Sequence, residues 1–192
     1  MRVTRHPYEI DGWGVGELWI GDVSVVLAHD PPVPGVSLRG AFRGTAAAPP
    51  QTGPRGTPGV PTETLAGERA RNGDGFVPEL LRSLHSYFAG EPVSFADVPL
   101  EGGWGTPFQD ALAAALRAVP WGEVVTYGEL SALAGRARAA RAAGTFCAEN
   151  RFSLFVPCHR VVSSGGIGGY GELGVEYKRR LLRLEGWSDG AL

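Results

Sequence analysis

The chain has 192 residues, 43% apolar and 20% charged, a balance that suits one packed domain or two small ones. No run approaches the roughly 18 apolar residues of a membrane span, and residues 1–7 lack the apolar stretch of a secretory signal. Two cysteines, Cys147 and Cys158, give neither a disulfide framework nor a paired metal-ligand motif, and a net charge of -2 argues against a nonspecific coat for nucleic acid. A cytoplasmic, nucleoid-associated location is the default expectation.

Residues 15–28 predict a β-hairpin. Gly16-Glu17-Leu18-Trp19-Ile20 and Val23-Ser24-Val25-Val26-Leu27 are β-rich runs, and Gly21-Asp22 is the expected turn. Residues 3–10 add a third strand, interrupted in its bonding by Pro7. Residues 43–64 are Ala, Pro, Gly and Thr, too poor in apolar area to offset ordering, and predict a mobile loop. A helix is expected from Pro78, in its first turn, to Phe88, with Leu80, Leu81, Leu84, Tyr87 and Phe88 as its apolar stripe. His6, His29 and His85 have no cysteine or carboxylate pattern beside them, so no metal site and no cofactor is expected.

Glu101-Gly102-Gly103-Trp104-Gly105 marks a boundary. The expected organisation is α/β: a small N-terminal unit over 1–100, an antiparallel sheet plus helix, then a mostly helical unit over 104–188. Thr106-Pro107 caps and opens a helix lined by Phe108, Leu112, Ala115, Leu116 and Val119, which Pro120 breaks. Thr126-Tyr127-Gly128-Glu129 is a capping box, and the helix it starts stops at Gly135. A second helix over about 138–149 makes the pair a helix-turn-helix. Arg138, Arg141 and Thr145 then share a slim basic face among Ala142 and Gly144, suited to close approach to a nucleic acid backbone. An Ala-rich helix packed inside the protein explains that composition equally well.

Charge supports the basic reading locally. Residues 1–103 carry 8 arginines against 12 acids, whereas 104–192 carry 9 arginines and Lys178, the one lysine, against 8 acids. Val156-Pro157-Cys158-His159-Arg160-Val161-Val162 sets a thiol beside an imidazole, in a stretch read as extended on both sides. A lone cysteine in such company is usually an inert buried hydrophobe, so this tract alone does not establish chemistry. A glycine loop follows, with Gly168, Gly169, Tyr170 and Gly171, able to present backbone groups to a flat ligand. The last helix, about 175–185, is expected to bury Leu181, Leu182 and Leu184 and leave Lys178 and Glu185 to point elsewhere.

These motifs occur together, in order, over about 104–187: Thr126-Tyr127-Gly128-Glu129-Leu130, Ala139-Ala140-Arg141-Ala142-Ala143-Gly144, Asn150, Pro157-Cys158-His159-Arg160, Lys178 and Glu185-Gly186. The C-terminal half resembles the O6-alkylguanine-DNA alkyltransferase family, the methylated-DNA–protein-cysteine methyltransferases. The resemblance implies stoichiometric, irreversible transfer of an alkyl group from guanine O6 in double-stranded DNA to Cys158, after the nucleotide is flipped out. It implies that His159 is a base acting through water and oriented by Glu185, and that Asn150 fixes the adjoining backbone. Tyr127 and Lys178 would assist the leaving guanine. The Cys158 and Val161 carbonyls would read its exocyclic amine, and Gly168 to Gly171 would line the base pocket. Arg141 would enter the stack in place of the lost base. O4-alkylthymine is left open as a second lesion, and the protein is expected to act as a monomer without a membrane. The chain departs from the family at Gly171-Glu172-Leu173-Gly174-Val175, where one residue is added and members commonly carry a Gly-Gly pair. A non-catalytic lesion sensor and an alkylation-responsive regulator are the alternatives; relatives of the first kind lack the cysteine.

Overall fold

The computed structural model describes residues 3–21, 24–31 and 73–188. The stretch 43–64 lies outside the described residues. β1 (Thr4–Ile10), β2 (Gly14–Gly21) and β3 (Ser24–His29) form an antiparallel sheet in that order. Alternation sorts its faces, with Tyr8 and Ile10 of β1 and Leu18 and Ile20 of β2 buried while Glu9 and Trp19 face outward. Pro7 is tolerated because β1 is an edge strand. The expected turn residue Gly21 belongs instead to β2, and Asp22 lies outside the described residues. Gly21 is a strand residue opposite Ser24, and a register shift between Trp19 and Ile20 leaves Val26 as the extra residue of a bulge.

The far edge of β3 is completed by the C-terminal half. Val25 N–H donates to the Pro99 carbonyl (2.9 Å), Glu101 N–H to the Val25 carbonyl (2.8 Å) and Ala28 N–H to the Arg151 carbonyl (3.0 Å). Those bonds cover an edge that would otherwise invite foreign strands. At the other end of the hairpin Arg180 stacks over Trp13, 3.6 Å from the ring centre, and donates to the Gly12 carbonyl (2.7 Å).

α1 (Gly73–Phe88) begins before the predicted start, so Pro78 lies inside it rather than in its first turn. The ladder lacks one bond there, and burial of Leu80, Leu84, Tyr87 and Phe88 holds the helix by packing instead. α2 (Pro107–Arg117) starts as expected: Thr106 accepts from Gln109 N–H, Pro107 opens the first turn, and Leu112, Ala113 and Leu116 are buried. α3 (Tyr127–Leu133) has the complete capping box between Thr126 and Glu129. It ends where Gly135 turns left-handed (φ 84°) and Arg136 N–H reaches back to the Ser131 carbonyl at 2.8 Å.

α4 (Ala140–Ala148) starts after the predicted position. Arg138 has a left-handed backbone (φ 72°) and belongs to the turn between helices, not to the helix face it was expected to share with Arg141 and Thr145. α5 (Gly174–Leu184) buries Tyr177, Lys178, Leu181 and Leu182, with Glu185 directly after it. The expectation that Lys178 and Glu185 point away from the core is therefore corrected. Positions 178, 181, 182 and 185 lie three and four apart and form one buried face, leaving Leu184 only half-buried. Two short strands, β4 (Val125–Thr126) and β5 (Val161–Val162), pair in parallel and bring Tyr127 beside the Cys158 tract.

One apolar core runs through both halves, from Tyr8 and Leu18 through Tyr87 and Leu112 to Phe155 and Leu181. Each such side chain contributes about 1.5–3 kcal/mol when fully buried. Among the described residues no helix is long and apolar enough to cross a membrane.

Candidate active site

Pro157 sets the geometry. Its backbone (φ -77°, ψ 68°) makes an inverse γ-turn, closed by Cys158 N–H donating to the Val156 carbonyl at 2.8 Å. Cys158–Arg160 then forms one 3-10 turn, not the extended chain expected from the flanking valines and proline. In it Arg160 N–H donates to the Pro157 carbonyl (2.9 Å) and Val161 N–H to the Cys158 carbonyl. The turn separates the neighbours: the Cys158 residue is half-buried, while His159 is fully buried. Asn150 braces the tract from across the loop. Its Nδ2 donates to the Val156 carbonyl (2.8 Å) and to Cys158 Sγ (3.2 Å), and its Oδ1 accepts from Phe152 N–H (2.9 Å). Burial pushes the Cys158 thiol up to about 11, against the lowering effect of the Asn150 bond and of Lys178.

His159 is held from behind. Its Nε2 is 2.8 Å from Glu185 Oε1, and Tyr87 Oη donates to the same oxygen at 2.7 Å. Arg160 forks the carboxylate, with Nε on Oε2 and Nη2 on Oε1, both 2.9 Å, and its Nη1 donates to the Val119 carbonyl. Burial favours a neutral Glu185, but His159 and Arg160 outweigh it and hold the carboxyl well below the usual carboxylate range. Burial also lowers the His159 pKa against the pull of Glu185. With an ionised carboxylate as its partner, Nε2 must carry the proton. Nδ1 is then the basic nitrogen, and it is buried without a hydrogen-bond partner among the described residues.

The opposite wall holds Lys178, Tyr127 and the glycine loop. Lys178 Nζ donates to the carbonyls of Val161 and Gly169 (the latter at 3.2 Å), and burial lowers its pKa to about 8. The Val161 and Cys158 carbonyls, expected to meet a ligand amine, thus each already accept an internal bond. Gly168 sits at φ 74°, and a methyl group there would lie 3.3 Å from Ser163 N and 3.6 Å from both Lys178 Nζ and Tyr127 Cε2. Tyr127 has its pKa raised, by burial first, and remains a donor at neutral pH. Tyr170 stacks on Tyr177, with centroids 6.0 Å apart and planes at 9°, and donates to Asp30 Oδ2 at 3.1 Å. Gly171 (φ 41°) follows it in the turn before α5.

The candidate DNA-facing residues lie apart from this cluster. On α4, Arg141, Ala142 and Thr145 are exposed and Gly144 is half-buried, while Ala143 and Phe146 anchor the helix inward. Thr145 Oγ1 donates to the Arg141 carbonyl (3.2 Å), which spends its hydroxyl within the helix. Cys147 packs against the core. Three residues of the site were not singled out from sequence: Arg160, Tyr87 and Asp30. An arginine between a histidine and two valines needs a buried counter-charge, and a tyrosine in an apolar stripe needs a partner for its hydroxyl. Both were readable signals. Among the described residues no group of three or more His, Cys, Asp or Glu is poised to hold a metal ion.

Comparison with known proteins bears on these residues. Residues 107–187 match the family model described as 6-O-methylguanine DNA methyltransferase, DNA binding domain. The chain is 42% identical over 125 residues to a methylated-DNA–protein-cysteine methyltransferase of Methanopyrus kandleri, covering 64% of this chain and 92% of that one. It is 46% identical over 105 residues to that of Salmonella typhimurium, covering 54% and 60%. The fold is similar to Mycobacterium tuberculosis OGT, solved in complex with DNA, with a TM-score of 0.65 and 27% identity over 94% of this chain and 91% of that one.

Proposed function

The chain belongs to the methylated-DNA–protein-cysteine methyltransferase family, and from that premise we propose that it reverses O6-alkylguanine damage in duplex DNA with Cys158 as the acceptor. The observation that carries this is the Cys158 turn itself: a thiol braced by Asn150, next to a histidine whose proton sits on Nε2 against Glu185.

A thiol pushed up to about 11 is protonated at neutral pH, so its proton must leave as the reaction begins. His159 Nδ1 is the base, reached through one water shared with Sγ, and Glu185 stabilises the imidazolium that forms. The sulfur attacks the alkyl carbon, an S–C bond forms, and the C–O6 bond breaks. The thiol loses one proton and the guanine ring regains one, so nothing else is consumed. Tyr127 donates to the ring as negative charge develops, and Lys178, held on the Val161 and Gly169 carbonyls, adds positive potential beside both. Gly168 to Gly171 supply a backbone wall for the flipped base, with Tyr170 closing it.

The α3–α4 pair serves as a helix-turn-helix with α4 against the duplex. Arg141 enters the stack from the minor groove, Ala142 and Gly144 permit close approach, and Arg138 contacts the backbone from the turn. Residues 1–100 and 104–188 act as supporting and catalytic units that share one core, and the site is expected in the cytoplasm. The proposal is tested by mixing protein and O6-methylguanine duplex at varied ratios. One lesion lost per protein, without turnover, agrees with it. Continued turnover, or lesions that persist beside excess protein, contradicts it.

A further inference from the structure

Asp30 has no part in the chemistry above, yet it is a carboxyl group only 5% exposed, directly after β3. Tyr170 Oη donates to its Oδ2 at 3.1 Å, and Ser153 makes a second side-chain hydrogen bond to it. Those partners come from different loops. Ser153 lies between Asn150 and Cys158, in the segment that delivers the thiol, and that segment is tied to β3 by Ala28 N–H on the Arg151 carbonyl. Tyr170 lies in the glycine loop on the other side of the site, where Gly169 accepts from Lys178. Among the described residues the side-chain hydrogen bonds to this buried carboxyl come from two hydroxyls, a costly choice for packing alone.

We propose that Asp30 is a positioning residue for alkyl transfer: by accepting from Ser153 and Tyr170 it clasps the two loops that wall Cys158 and sets the gap between them. This rests on Cys158 being the acceptor. The groups that face the carboxyl electrostatically are Tyr8 from β1, Tyr87 from α1, Cys158 from its turn, Tyr170 from the glycine loop and Tyr177 from α5, together with Ser153. None of the tyrosines ionises near neutrality. Burial raises the Asp30 pKa to about 7, so the clasp tightens as the carboxyl ionises across the neutral range, while its charge works against the Cys158 thiolate.

The test is single-turnover transfer from O6-methylguanine duplex DNA, measured against DNA concentration and pH, for wild type, Asp30→Asn, Asp30→Ala and Tyr170→Phe. Asp30→Ala is expected to lower the maximal rate about tenfold or more, because reacting atoms tolerate little misplacement, with half-saturation by DNA unchanged. Asp30→Asn keeps an acceptor and is expected to restore most of that rate while losing the inflection near pH 7. Tyr170→Phe should behave like Asp30→Ala, and the double variant should be no worse than either single one. An Asp30→Ala protein with the wild-type rate and pH profile overturns the clasp. So does an Asp30→Asn protein as slow as Asp30→Ala. Wild type that leaves the duplex unchanged overturns the acceptor reading, and the clasp falls with it.

Discussion

His159 Nε2 sits 2.8 Å from Glu185 Oε1, and both groups are fully buried, in the middle of the 3-10 turn and directly after α5. The pair fixes the imidazole tautomer and, through Arg160, anchors the turn that carries Cys158 to the last helix. Replacing Glu185 by Gln leaves the Arg160 guanidinium buried without its counter-charge. The expected cost is about 3–5 kcal/mol in urea unfolding, together with a transfer rate lower by roughly 10²–10⁴-fold. Wild-type stability in that variant would show that the carboxylate is not the anchor.

The pH dependence of stability separates Asp30 from this pair. The Glu185 pKa is depressed in the fold, so its contribution is present above the unfolded value of about 4.3 and is lost as pH falls. His159 is also depressed, and its contribution is lost as pH falls below about 6.5. Asp30 has the opposite sign. Its pKa is raised to about 7, so the folded state binds the extra proton and stability falls as pH rises from about 4 to 7. Asp30→Asn should therefore be more stable than wild type by roughly 2–4 kcal/mol at pH 8, with the gain gone near pH 3.5. Paired urea titrations at the two pH values check this.

The glycine loop offers a paired comparison. Gly168→Ala forces a left-handed residue and a close contact with Ser163 N, and should cost about 1–2 kcal/mol. An added methyl at Gly169 meets nothing within 4 Å, so Gly169→Ala should change stability by less than about 0.5 kcal/mol. Thermal unfolding of both variants decides it.

Arg141 is exposed on α4, so Arg141→Ala should leave stability within about 0.5 kcal/mol of wild type. It should slow repair of duplex DNA while leaving reaction with free O6-alkylguanine base unchanged. Equal loss on both substrates would mean that Arg141 does not take the place of the flipped base.

How much of this was legible in sequence follows from the range of each interaction. The Thr126–Glu129 capping box and the Thr106-Pro107 start are local, and both appear as expected. The bulge at Val26 and the left-handed Arg138 leave no local mark, so Gly21 as a turn residue and the start of α4 both differ from expectation. Family motifs named Cys158, His159, Asn150, Lys178 and Glu185, but not what buries Lys178 and Glu185 on the leucine face of α5. Tyr87 and Asp30 reach the site from α1 and β3, across separations that no periodicity encodes. The sequence shows Arg160 beside His159, but only the fold shows its charge turned inward onto Glu185.

The central claim is that Cys158 is consumed by the reaction. Wild-type protein is incubated with duplex DNA carrying O6-methylguanine, digested, and the peptide containing Cys158 is weighed. A gain of one CH2 on Cys158 is expected, matched by restored guanine in the DNA, with no gain on Cys147 and no repair by Cys158→Ala. An unmodified Cys158 beside repaired DNA, or a methyl group found on Cys147, would contradict it.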